Sequence, residues 1–153
     1  MSWRAAGWTL GGLVAALAAL RATPMAKVVL WSPMRGRVLI DGAPAAGAVL
    51  AREFNWHWGN KQGGDRVVAD GAGEFSFPAL FGRMLLGQVL PHEPVIEQVM
   101  TIDYGGKSYG AWYHFNHDDS LDAENDGRPI VMTCRLDAQP SPHGRIMGLC
   151  EFE

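Results

Sequence analysis

Residues 70–77 read Asp70-Gly71-Ala72-Gly73-Glu74-Phe75-Ser76-Phe77. The first four form a tight turn, because glycine holds positive φ at little cost. The last four alternate, with Phe75 and Phe77 on one face, which is the period of a strand and not of a helix. The same period runs outward in both directions. Upstream, Val28 to Trp31 is a short apolar run ended by Pro33, and Arg35 to Ile40 alternates, with Val38 and Ile40 facing one way. Asp41-Gly42-Ala43-Pro44 is a turn signal, Ala48 to Trp56 is a strand, His57 to Gly64 is a Gly-rich polar loop, and Asp65 to Ala69 is a short strand.

Downstream, Ala79 to Leu90 is apolar, but Gly82 and Gly87 weaken a helix there, so it reads as a connection or a short strand. Val95 to Ile102 is a strand. Tyr104-Gly105-Gly106-Lys107 turns it into Ser108 to Phe115, with Tyr109, Ala111, Tyr113 and Phe115 facing away from Trp112. Asn116 to Pro129 is a long polar loop, Ile130 to Leu136 a strand, Ala138 to Gly144 a turn, and Arg145 to Phe152 the last strand. About eight short strands joined by turn chemistry predict an all-β fold, an antiparallel β-sandwich. Residues 27–153 are expected to form one such domain.

Composition narrows the function classes. The chain has 153 residues, a formal net charge of −3, 48% hydrophobic and 19% charged residues, so it is neither disordered nor an acidic tail. A sequence pI near 5.9 argues against a nucleic-acid partner, which would want a basic face. Two cysteines are too few for a zinc ribbon or an iron–sulfur site built from cysteine, and no cofactor is called for.

Residues 1–26 stand apart. Arg4 precedes an uncharged run from Ala5 to Leu20, and Arg21 closes it. That is a secretory signal or an uncleaved signal anchor. Ala16-Leu17-Ala18, Ala22 and Ala26 are the candidate cleavage positions, and no Leu-x-x-Cys lipobox follows. The exported part carries eleven basic and sixteen acidic residues, a net of −5. An oxidising compartment permits a Cys134–Cys150 bridge across fifteen intervening residues; two free buried thiols are the other reading.

Three constellations bear on chemistry. Gly106-Lys107-Ser108-Tyr109-Gly110 matches G-x-S-x-G, but it falls on a hairpin turn with no βαβ pattern around it, so catalysis is not expected. His114-x-x-His117-Asp118-Asp119 has metal-binding residue types. Positions three apart on a strand face opposite sides, however, and nothing in the spacing brings in His57, His92 or Asp103. Trp56-x-Trp58 with Trp112 and Tyr113 is either sandwich core or a platform for a sugar or a protein. Alternation places Trp56 in the core with Leu50 and Phe54, and Trp58 in the loop.

Two resemblances add to this reading. Gly36-x-Val38, Gly42-x-Pro44-x-x-Gly47-Ala48-Val49 and Asp70-Gly71-x-Gly73-x-Phe75-x-Phe77 resemble the carboxypeptidase-regulatory-like, transthyretin-like β-sandwich repeat, which implies a fold and says little of function. Leu90-Pro91-His92-Glu93-Pro94-Val95-Ile96, Tyr104-Gly105-Gly106-Lys107-x-Tyr109-x-x-Trp112, Gly127-Arg128-Pro129-Ile130 and Cys134-x-Leu136 are similar to a small exported Gram-negative family encoded beside type VI secretion phospholipase effectors. That likeness implies a periplasmic immunity protein whose partner is the secreted phospholipase toxin, with a membrane involved only through the N-terminal segment. The expected contacts are Trp58, Asn60 and Lys61 in one loop, and Asp118, Asp119, Asp122, Glu124 and Asp126 in the other. The five acidic residues are either a solvated face or a surface that steers a basic partner. An exported ligand- or carbohydrate-binding sandwich is the alternative function.

Overall fold

The computed structural model describes residues 25–84 and 93–153; the leader expected over residues 1–26 falls almost wholly outside them. The fold is all-β. Its strands are β1 (Ala26–Trp31), β2 (Met34–Ile40), β3 (Ala43–Pro44), β4 (Val49–Trp56), β5 (Lys61–Val68), β6 (Glu74–Phe77), β7 (Leu80–Met84), β8 (Ile96–Tyr104), β9 (Lys107–Asn116), β10 (Ile130–Arg135) and β11 (Cys150–Phe152), with one 3-10 turn at Ala123–Asn125. One sheet runs β11-β10-β2, with β3 and β6 both paired to β2; the other runs β5-β4-β8-β9; β1 and β7 form a two-stranded ribbon. All pairings are antiparallel except β10 with β2, which is parallel. A parallel pair needs a long crossover, and here most of the domain lies between the two strands.

The turn at residues 70–73 is tied from both sides. The Asp70 carboxylate accepts the Ala72 and Glu74 N–H groups at 2.9 Å, and the Gly73 carbonyl accepts the Val38 N–H at 2.8 Å. Gly73 has φ 73°, and a Cβ there would lie 2.5 Å from the Val38 carbonyl, so only glycine fits. Phe75 and Phe77 are thereby delivered into the core beside Met34, Val38, Ile130 and Met132, opposite Leu50, Phe54, Met100 and Trp112. The rings of Trp31 and Trp112 close the sandwich at 5.7 Å.

Several expected boundaries move. The loop expected over His57 to Gly64 is only a turn, because Lys61 already pairs with Trp56. Ala43 and Pro44, expected in a turn, pair with Ile40 and Leu39. Leu80–Met84 is a strand, while residues 85–92 lie outside the described chain. Simple alternation along β9 fails at Ala111. Met100 pairs with Trp112 and Thr101 with Gly110, so Ala111 is an extra, bulged residue, and Ala111 and Trp112 are both buried. The last strand is Cys150–Phe152 alone; Met147 and Leu149 instead cap the free edge of β9 through Tyr113 and Ala111. Cys134 and Cys150 are cross-strand partners joined by a disulfide.

A buried cation sits between the sheets. Arg52 on β4 has no exposure. Its Nε and Nη2 donate to the two Asp65 oxygens at 2.9 and 2.8 Å, Nη2 also to the Pro78 carbonyl at 2.7 Å, and Nη1 to the Ser32 carbonyl at 3.2 Å. The guanidinium lies 4.1 Å from the Phe77 ring centroid.

Two outcomes follow for urea denaturation. Asp65→Ala, which leaves Arg52 buried and unpaired, is expected to cost about 3 kcal/mol or more. Replacing both cysteines by alanine is expected to cost about 3 kcal/mol for a loop of this length, and reduction of the native chain should lower its midpoint similarly.

Candidate functional site

Trp56, Ile96 and Asn116 are register partners at one end of the four-stranded sheet. Neighbouring strands lie about 4.8 Å apart, so the chain leaving Trp56 and the chain leaving Asn116 start roughly 10 Å from each other. Both loops expected to bind a partner therefore begin at the same end of the molecule.

The first is the turn at residues 57–60. The His57 N–H donates to the Val95 carbonyl at 3.2 Å, and the Asn60 N–H to the His57 carbonyl at 3.3 Å. A Cβ on Gly59 would sit 2.0 Å from the Trp56 ring, so the turn lies flat on that buried indole. Trp58 is 52% exposed and Asn60 is exposed with φ 45°. Lys61, the first residue of β5, reaches back to the Phe81 carbonyl at 3.5 Å.

The second loop is not structureless. The Asp118 N–H donates to Asn116 Oδ1 at 3.1 Å, and the Asp118 carboxylate accepts the Ser120 N–H at 2.8 Å and its hydroxyl. The Asp119 carbonyl accepts the Val29 N–H at 2.9 Å. Asp122 N–H donates to Ser32 Oγ at 2.8 Å, and the 3-10 turn that follows turns Glu124 inward. Glu124 is fully buried. Its carboxylate accepts the Ser32 N–H at 3.0 Å, the Ser32 hydroxyl at 2.6 Å and Gln98 Nε2 at 2.8 Å.

The five acidic residues thus have four different roles. Asp118 and Asp119 stand at the sheet end with Trp58. Glu124, expected as a partner contact, is instead an internal acceptor with no surface to offer, because three buried donors need it. Asp126 is exposed and pairs with Arg145 at 2.7 Å, and that hydrogen bond holds its carboxyl below the usual range. Asp122 is half-buried, and burial together with the nearby Glu124 charge pushes its carboxyl up.

The remaining motifs do not converge on a reacting position. His114 Nδ1 donates to the Arg145 carbonyl at 2.6 Å, and burial lowers its pKa. His117 faces Glu93 instead, at 3.1 Å. Among the described residues, no group of three or more His, Cys, Asp or Glu side chains is placed to hold a metal; His92 lies outside them. Ser108 is exposed in the β8–β9 hairpin opposite Asp103.

Residues 34–139 match a family described as a domain of unknown function (DUF6795). The chain belongs to that family. The match opens with β2 and closes just after β10, so it contains both loops and the whole four-stranded sheet, while Ser32 and Cys150 lie beyond it. No curated protein and no solved structure matches the chain.

Ser32, Arg52 and Gln98 form the buried polar interior beneath this end of the sheet. Arg52 lies two residues from Leu50 and from Phe54, and Gln98 two from Ile96 and from Met100, so strand alternation alone points both inward. No such signal marks Ser32.

Glu124→Ala is expected to cost about 3 kcal/mol, since it strands buried donors. Asp122→Asn should act in the opposite direction. A raised carboxyl pKa means that the folded state holds its proton more tightly than the unfolded one, so stability is lost as pH rises through that window. The asparagine variant should therefore be the more stable protein at pH 7 and equal to the native chain in strong acid, as thermal unfolding across pH would read.

Proposed function

We propose that this protein is an exported immunity protein that neutralises a type VI secretion phospholipase effector by stoichiometric binding, not by chemistry. The reading begins from the likeness of the 90–96, 104–112, 127–130 and 134–136 motifs to that family. The observation that carries it further is the single end of the sheet where Trp58 and Asn60 on one turn, Lys61 at the start of β5, and Asp118 and Asp119 on the second loop are held by hydrogen bonds. A half-exposed indole beside charged groups on a stiff frame suits a protein interface, where buried aromatic anchors and charge complementarity dominate. The disulfide is compatible with the periplasm.

The carbohydrate-binding alternative has less behind it. A trough of about 670 Å³ lies on the open face of β5, β4 and β8 and includes Glu53, Asn55, Gln62, Arg66 and Glu97. Its one aromatic lining residue, Phe54, is buried, so a sugar ring would find no stacking platform there.

Co-production with the neighbouring periplasm-directed phospholipase should restore growth, and the purified pair should form a stable complex. Trp58→Ala is expected to weaken that complex by about 2 kcal/mol, roughly thirtyfold. Asp118→Asn keeps the acceptor that holds Ser120 and removes a charge, so it should slow association several-fold at low salt and little at high salt. Cell death with both proteins confirmed in the periplasm would sink the proposal.

A further inference from the structure

The β1–β7 ribbon carries an unusual charge arrangement. Lys27 and Arg83 are direct cross-strand partners, and both are exposed. Like charges placed opposite each other on a sheet repel. Phe81, two residues before Arg83 and on the same face, is 42% exposed, and Met25 at the ribbon's end is 46% exposed. Lys27 Nζ lies 3.5 Å from the Phe81 ring centroid, and Lys61 Nζ comes to the same residue's carbonyl. Among the described residues no carboxylate pairs with Lys27, Arg83 or Lys61. Two lysines thus meet Phe81, and Arg83 lies on the same ribbon, on a protein whose net charge is negative.

We propose that this face, made by Met25, Lys27, Lys61, Phe81 and Arg83, rests on the surface of an anionic phospholipid bilayer. Two observations select a bilayer over other anionic partners. Residues 5–20 carry no charge and precede β1 in the sequence. Leu20 is seven residues before Lys27, a reach of at most about 25 Å, so a membrane holding the uncharged run would place the ribbon within contact distance. The side-chain set is also what the headgroup region accepts: cations that meet lipid phosphates around apolar groups that enter the acyl boundary. The lipid charge would in turn relieve the Lys27–Arg83 repulsion. The inference does not rest on the identity of the protein partner; Lys61 borders both surfaces, and Lys27, Phe81 and Arg83 belong to this one alone.

The sequence holds three lysines, at 27, 61 and 107, and Lys107 lies at the opposite end of the four-stranded sheet from Lys61. The test is the rate of lysine acylation by a membrane-impermeant reagent, read by mass spectrometry on the full chain. The chain is reconstituted in vesicles of phosphatidylcholine alone or with about one-third phosphatidylglycerol. The anionic vesicles should slow Lys27 and Lys61 about fivefold and leave Lys107 unchanged, and high salt should abolish the difference. Phe81→Ser combined with Arg83→Glu, both at exposed positions, should remove the slowing at Lys61. Equal rates in the two lipids, slowing of all three lysines together, or protection that persists in the double variant would overturn the proposal.

Discussion

Arg52 carries a positive charge at a position with no solvent exposure, and much of the molecule is arranged around keeping that charge partnered. An isolated buried charge is prohibitively costly. Here Asp65 on the neighbouring strand neutralises it bidentately, the Pro78 and Ser32 carbonyls take two more of its donors, and the Phe77 ring lies against its face. Ser32 also donates to Glu124 through both its backbone and its hydroxyl, and Gln98 completes that second cluster. The β1–β2 link, β4, β5, β8 and the acidic loop are thereby connected through one run of buried polar groups. Such networks are demanding because each member depends on the others being satisfied.

This arrangement changes the meaning of the acidic loop. Its central carboxylate faces inward and anchors the segment, so the residues on either side are presented at fixed positions. Asp118 and Asp119 come to the end of the sheet that also carries Trp58, while Asp126 is held by Arg145. Groups already held in this way have little conformational freedom left to lose. The Met147 and Leu149 contacts cover part of the far edge of β9, which would otherwise offer unpaired backbone.

Much of the fold was legible from local pattern. The alternation around Phe75 and Phe77, the turn glycines and the strand pattern led to a sandwich, and the spacing of the cysteines allowed the bridge that joins β10 to β11. Errors fell where one extra residue or one long-range contact overrides the pattern. The bulge at Ala111 reverses the inward face of β9 halfway along, and no propensity marks it. The loop expected over His57 to Gly64 shrank because Lys61 to Gly64 gain a partner strand, and pairing supplies what Gly-rich composition does not.

The sequence by itself determined the strand period and the glycine turns at residues 70–73 and 104–107, because these depend on neighbours one or two residues away. Only the tertiary structure decided that Glu124 belongs to the interior, that β10 lies parallel to β2, and that Trp58 and Asp118 share one end of a sheet. Those outcomes join residues from 26 to 96 positions apart, and a buried donor selects its acceptor by position in space, which order along the chain does not encode.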